Sequence, residues 1–151
     1  MPERTLGIGL GSPVRQEVAG WTIWRRSFPG RADQASEARR LVRTLLDGVA
    51  CVDDAVFVAG ELINNALLHT RSGHPGGHLV VEVAWRPDGV RVGVHDQGGG
   101  EPPDLGGLTT RPAVDDLRED GRGLIAIGRL AQRVGCEGDP GAGHLVWALL
   151  A

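Results

Sequence analysis

From Asp53 to Thr70, apolar residues recur at the spacing of one helix face, through Val56, Ala59, Ile63, Ala66 and Leu67. Such a stripe must be buried, so the rest of the chain has to supply a surface for it. Yet Glu61, Asn64 and Asn65 sit in its middle. Asn in mid-helix competes with the backbone for hydrogen bonds and is unfavourable without a partner. Glu61 and Asn65 are one turn apart and share a face. A carboxylate there can take a proton or hold a water, and an amide oxygen is a hard ligand suited to Mg²⁺. Taken alone, the pair also reads as an exposed polar stripe.

The surface that this helix needs is visible on both sides of it. Trp21 to Phe28 is aromatic and β-branched and predicts a strand, ended by Pro29-Gly30. Asp33 is placed to cap a helix with Ala35, Ala38, Leu41, Val42 and Leu45 on one side and Arg39, Arg40 and Arg43 on the other. After the central helix, His78 to Trp85 and Val90 to Asp96 read as a hairpin around Pro87-Asp88-Gly89. Val90, Val92 and Val94 share a face, and Asp96 has the same parity, so its carboxylate should point to the core side. A buried carboxylate must be satisfied, and an adenine amino group is one way to do it. His95 has the opposite parity and is expected to face solvent.

Gln97 to Thr110 is too rich in Gly and Pro for a regular element, and so long a loop is usually functional or mobile. Leu124, Ile127, Leu130, Ala131 and Val134 then predict a helix stopped by Gly135, followed by two short strands that divide at Pro140–Gly143. The last, His144 to Leu150, is apolar enough for a central strand. Residues 1–19 lack an apolar period and read as a flexible tail, leaving 20–151 as one domain. The expected architecture is α+β: two layers, with a mixed sheet of about five strands and three helices on one face.

Composition removes several function classes. A chain of 151 residues suits one domain, and a formal charge of −3 gives no electrostatic reason to expect nucleic acid or an anionic membrane as partner. All 16 basic residues are Arg, which rules out a phosphate-binding lysine of the Walker type and Schiff-base chemistry. Cys51 and Cys136 have no second ligand at metal spacing and read as reduced, partly buried thiols. No run is long enough to span a bilayer and no signal peptide is apparent, so a cytoplasmic location is expected. His74 and His78 lack metal spacing, and His69 suits a helix C-terminus.

Three polar or glycine-rich clusters remain: Glu61-x-x-x-Asn65, Asp96-x-Gly98-x-Gly100 and Gly121-x-Gly123-Leu124. Each has a bland reading as a polar stripe, a strand-ending turn or a hinge. Small residues at a helix start also let a phosphate approach free N–H groups. In this order and spacing the three resemble the N, G1 and G2 boxes of the Bergerat-fold (GHKL) ATPases. Glu61 to His69, Gly121-Arg122-Gly123-Leu124, Val146-Trp147-Ala148 and the opening Arg25-Arg26-Ser27-Phe28-Pro29-Gly30 narrow the resemblance to the small anti-sigma-factor serine kinases and single-domain actinobacterial ATP-binding proteins. It covers about Trp21 to Leu150.

The resemblance implies the Bergerat fold, ATP and Mg²⁺ as cofactors, and roles for individual residues. Asn65 matches the Mg²⁺ ligand and Glu61 the general base that activates a substrate serine. Asp96 matches the carboxylate that reads the adenine amino group, with Gly98 and Gly100 admitting the base. Gly121, Gly123 and Leu124 match the segment that wraps the phosphates, and the preceding loop matches the ATP lid. With no Lys present, Arg122 or Arg118 is positioned to neutralise phosphate charge. The implied activity is a serine/threonine protein kinase that phosphorylates a small antagonist protein and sequesters a sigma factor, in a two-fold homodimer built on the Trp21–Phe28 region. A non-catalytic ATP-sensing module and a plain ATP hydrolase are the alternatives. One departure stands out: Leu145 occupies the place where the family often has a Thr that supports adenine recognition. A leucine cannot donate a hydrogen bond, so weaker recognition, or recognition through other groups, is expected.

Overall fold

A computed structural model describes residues 12–99, 122–139 and 141–150. The elements follow in the order β1 (Val14–Val18), β2 (Trp21–Pro29), α1 (Ala35–Leu45), α2 (Val52–His69), β3 (His78–Arg86), β4 (Gly89–His95), α3 (Arg122–Leu130), β5 (Arg133–Asp139) and β6 (Gly143–Leu150). The six strands form one sheet in the order β1-β2-β3-β4-β6-β5. This is an α+β, two-layer architecture with the three helices on one face, as the sequence implied.

Four particulars differ from the expectation. Every neighbouring pair in the sheet is antiparallel, so the sheet is not mixed. The connection from β4 through α3 returns β5 in the direction of β4, but β6 inserts between them and runs against both. The sheet also has six strands and not five, because Val14–Val18 lies within the stretch read as a tail. It pairs with β2 across Ala19 and Gly20, whose φ values of 51° and 87° are the two left-handed positions of a tight hairpin turn.

The helix read as running to Val134 ends at Leu130, since Gln132 N already donates to Leu149 O and Val134 pairs with Ala148. Finally, Asp33 does not cap α1; it lies in a 3-10 turn over Ala32–Gln34 and pairs with Arg31.

The core lies between the sheet and the helices. Ala55, Val58, Ala59, Leu62, Ile63 and Ala66 form the buried stripe of α2, and Ala38 and Val42 that of α1. They meet Phe28, Leu79, Val81, Val83, Val92, Val94, Val146 and Ala148, all essentially inaccessible. Burying an aliphatic side chain of this kind contributes about 1.5–3 kcal/mol, so this layer supplies the main driving force for the fold. In β6 the burial alternates strictly, with His144, Val146, Ala148 and Leu150 inside. No described helix is long and apolar enough to cross a membrane.

The helix-free face carries a different kind of stabilisation. Glu82, in the middle of β3, is 1% exposed, and receives Arg25 Nε at 2.8 Å, Arg91 Nη2 at 3.0 Å and His95 Nε2 at 3.0 Å. Burial alone would raise its carboxyl, but the hydrogen bond and charge of His95, and then those of Arg25, hold it at about 2. His95 does lie on the face opposite Asp96, yet it is half-buried and engaged by Glu82 and does not simply face solvent.

Candidate functional site

Asp96 follows directly on β4 and is buried on the helix side, where parity placed it. Its Oδ1 accepts Gly98 N at 2.7 Å, His144 N at 3.2 Å and a bond from His144 Nδ1 at 3.1 Å. Asp96 N in turn donates to His144 O at 2.8 Å, continuing the β4–β6 pairing beyond the strand end. Gly98 and Gly99 have φ values of 72° and 91°, so the chain turns sharply after Asp96 in a conformation that suits glycine. Three donors are thus gathered on one carboxylate oxygen, and no described group donates to Oδ2. Cys136, on β5, has its thiol pushed up by burial and then by the charges of Asp96 and Glu137, and Cys51 is likewise raised, chiefly by burial. Both thiols are free and half-buried.

Leu145 belongs to the half-buried set of β6 and pairs with His95 and Glu137 on the helix-free face. His144 is the residue that meets Asp96. The signal that found Asp96 would have found it too: His144 shares the parity of Val146, Ala148 and Leu150, so it is a polar residue at a core-facing position.

A second group that sequence reasoning missed holds the turn from behind. The extension of α2 passes Thr70, whose Oγ1 donates to Ala66 O at 2.7 Å and accepts Ser72 N at 3.1 Å. Arg71 N donates to Gly98 O at 2.7 Å, and Ser72 Oγ accepts Gln97 N at 3.0 Å. Gln97 Oε1 accepts His78 N at 2.7 Å. The guanidinium of Arg71 reaches across to Gly141 O at 2.5 Å. Thr70 and Ser72 are buried polar residues at a helix end, a pattern usually reserved for local backbone caps.

Glu61 and Asn65 both lie half-buried on the flank of α2, and Asn64 and His69 are exposed. Among the described residues, neither Glu61 nor Asn65 has a side-chain hydrogen bond. Helix α2 packs against β4, β6 and α3. Helix α2, which bears Glu61 and Asn65, thus packs over β4, which Asp96 follows, and beside α3, which opens at Arg122. Arg122, Gly123 and Leu124 form the first turn of α3. Gly100, Arg118, Gly121 and the loop read as a lid lie outside the described residues. A cleft between Phe28–Arg31 and Gly73–His78 includes none of these groups.

This arrangement has a counterpart among known proteins: a family model for the histidine kinase-like ATPase domain matches residues 28–148. The chain belongs to this family. Membership implies ATP binding and the GHKL type of fold. A protein named serine-protein kinase RsbW from Bacillus pumilus (strain SAFR-032) is 29% identical over 116 residues, covering 67% of this chain and 72% of that protein. The matched span begins at the end of β2, so β1 and most of β2 lie outside it.

The donor set also bears on a metal. No group of three or more His, Cys, Asp or Glu side chains that could hold an ion occurs among the described residues. A single amide oxygen on a helix flank fits Mg²⁺, which takes few protein ligands and completes its shell with phosphate and water.

Proposed function

We propose that this chain is an ATP-dependent serine/threonine kinase of the anti-sigma type, acting in the cytoplasm on a small antagonist protein and, in alternation, sequestering a sigma factor. The carrying observation is the pair Glu61 and Asn65, one turn apart and half-buried on α2, without described protein partners, on the same side of the sheet as Asp96. The family match supports the nucleotide, and the likeness to a protein named as a serine-protein kinase supports the reaction.

In this reading Asp96 Oδ2 takes the adenine amino group, and Gly98 lets the base approach. Gly100 is assigned to the same role as Gly98, Gly121, Gly123 and Leu124 to the phosphates, and Arg122 to neutralising their charge. Asn65 would hold Mg²⁺, which when bound neutralises charge on the phosphates. Glu61 accepts the hydroxyl proton of the substrate serine as its oxygen bonds to the γ-phosphorus. The bond from that phosphorus to the bridging oxygen breaks, and ADP leaves.

The test is a comparison of wild type and Glu61→Ala in two assays: calorimetric titration with ATP, with and without Mg²⁺, and transfer from γ-labelled ATP to co-encoded candidate proteins. The variant should bind ATP about as well as wild type and transfer nothing. Unchanged transfer would remove Glu61 from the reaction. Tight binding by wild type with no transfer to any candidate would identify an ATP-sensing module instead, and steady phosphate release without a protein substrate a hydrolase.

A further inference from the structure

The last pair in the β3–β4 register is Val80 with His95, and two residues further the same register sets His78 opposite Gln97. A continuing ladder would join that pair through the backbone. The chain has instead begun to turn, with Gly98 and Gly99 both left-handed, and side chains make the bonds. Gln97 Oε1 accepts His78 N at 2.7 Å in place of a backbone carbonyl, and Ser72 Oγ accepts Gln97 N at 3.0 Å. Gln97 is therefore fixed both at its backbone and at the tip of its side chain. Its anchor is firm. Ser72 is wholly buried, and a Cβ on either Gly30 or Gly77 would run into Ser72 O, so backbones pack there directly.

This fixation bears on Asp96. Gly98 N reaches Asp96 Oδ1 at 2.7 Å because the chain turns between them. Were β4 to continue and pair with His78 through its backbone, Gly98 N would lie in the plane of the sheet and Oδ1 would lose it. We infer that Gln97 is a positioning residue for base recognition: its carboxamide completes the end of β3, which frees the chain to turn and fix the Asp96 carboxylate. This rests on the reading in which Asp96 takes the adenine amino group, and adds the residue that holds Asp96 in place.

The test titrates ATP and purine riboside triphosphate, which lacks the amino group, into wild type, Gln97→Glu and Gln97→Leu by calorimetry. Glu keeps an acceptor for His78 N, and Leu fills similar space without one. The ratio of the two affinities isolates the contact at the amino group, since a charge added at 97 weakens both nucleotides alike. One net hydrogen bond changes an equilibrium constant roughly five- to tenfold. Wild type and Q97E should prefer ATP by roughly that factor, and Q97L should lose most of it. The Gly98 amide of Q97L should also exchange its hydrogen roughly tenfold faster than that of wild type. In wild type, which needs no substitution, the His78 and Gly98 amides should both be protected before nucleotide is added. A full preference in Q97L, whatever its Tm, would overturn the inference, as would equal losses in Q97L and Q97E or an unprotected His78 amide in wild type. Wild type that binds ATP without preferring it would overturn the Asp96 reading and this inference with it.

Discussion

Arg71 and Gly141, 70 positions apart in the chain, are joined by a hydrogen bond from the guanidinium to the carbonyl oxygen at 2.5 Å. The backbone N–H of the same arginine holds Gly98 O at 2.7 Å, so one residue ties the end of α2 to the turn after Asp96 and to the β5–β6 connection. Its alkyl stem also covers Gly99, where a Cβ would fall 2.6 Å from Arg71 Cγ. Arg71→Ala removes the side-chain tie and the cover and leaves the backbone bond in place. Because the residue is exposed, the loss of stability should stay near that of one surface hydrogen bond, about 0.5–1.5 kcal/mol. The expected effect is on the nucleotide: a roughly three- to tenfold weaker Kd for ATP by calorimetry, with little change in Tm. An unchanged Kd would show that the Asp96 turn keeps its shape without this residue.

Glu82 makes a prediction about stability, not about ligand. Its carboxyl is held at about 2 against an ordinary 4.5, and a group depressed on folding stabilises the folded state above its unfolded pKa. That stabilisation, about 3 kcal/mol at about 1.4 kcal/mol per pH unit, should be complete above pH 4.5 and fade as pH falls toward 2. Glu82→Gln leaves Arg25 and Arg91, each 29% exposed, facing an uncharged partner at a buried position. Breaking one member of such a buried cluster is expected to cost about 3–5 kcal/mol. For a domain of this size that lowers Tm by roughly 6–20 °C, measurable by thermal melts at pH 7. The difference between wild type and variant should narrow as the melts are repeated at lower pH. A constant difference down to pH 3 would mean that ionisation of Glu82 is not what holds the cluster.

What the chain declared in advance, and what it hid, separates along local and non-local physics. Asp96 was legible because Val90, Val92 and Val94 set a two-residue period next to it, and burial follows parity along a strand. Helix α2 was legible for the same kind of reason, its stripe of apolar residues repeating over five turns. β1 was not, because Val14, Gln16 and Val18 stabilise nothing alone and become a strand only by pairing with Trp21–Arg25. The end of α3 was overrun because Val134 continues the helical spacing, while the β6 edge captures Gln132 and Val134 instead. Sheet direction depends on where β6 inserts, which no local pattern encodes. In the site, Thr70, Arg71 and Ser72 were hidden because their partners, Gln97, Gly98 and Gly141, come from distant segments. His144 was within reach of the parity rule, and the resemblance drew attention to Leu145 in its stead.

Gly143 tests whether the pocket depends on the close approach of β6 to the end of β4. Its φ of 137° lies where side chains are rarely found, and a Cβ there would stand 2.4 Å from the carbonyl oxygen of Asp96. The contact is with backbone, so neither partner can yield by rotating a side chain. Gly143→Ala should push the Asp96 carbonyl away and stretch the bond from Asp96 N to His144 O, now 2.8 Å. The carboxylate moves with it, and with it the three donors gathered on Oδ1. A strained left-handed position combined with a backbone clash is expected to lower stability by about 1–3 kcal/mol. Nucleotide affinity should fall further than stability alone predicts, by roughly tenfold or more, if the displaced group contacts the base as proposed above. Calorimetry with ATP at a temperature where the variant is folded separates the two effects. A folded variant that binds ATP as wild type does would show that nucleotide binding does not depend on this contact.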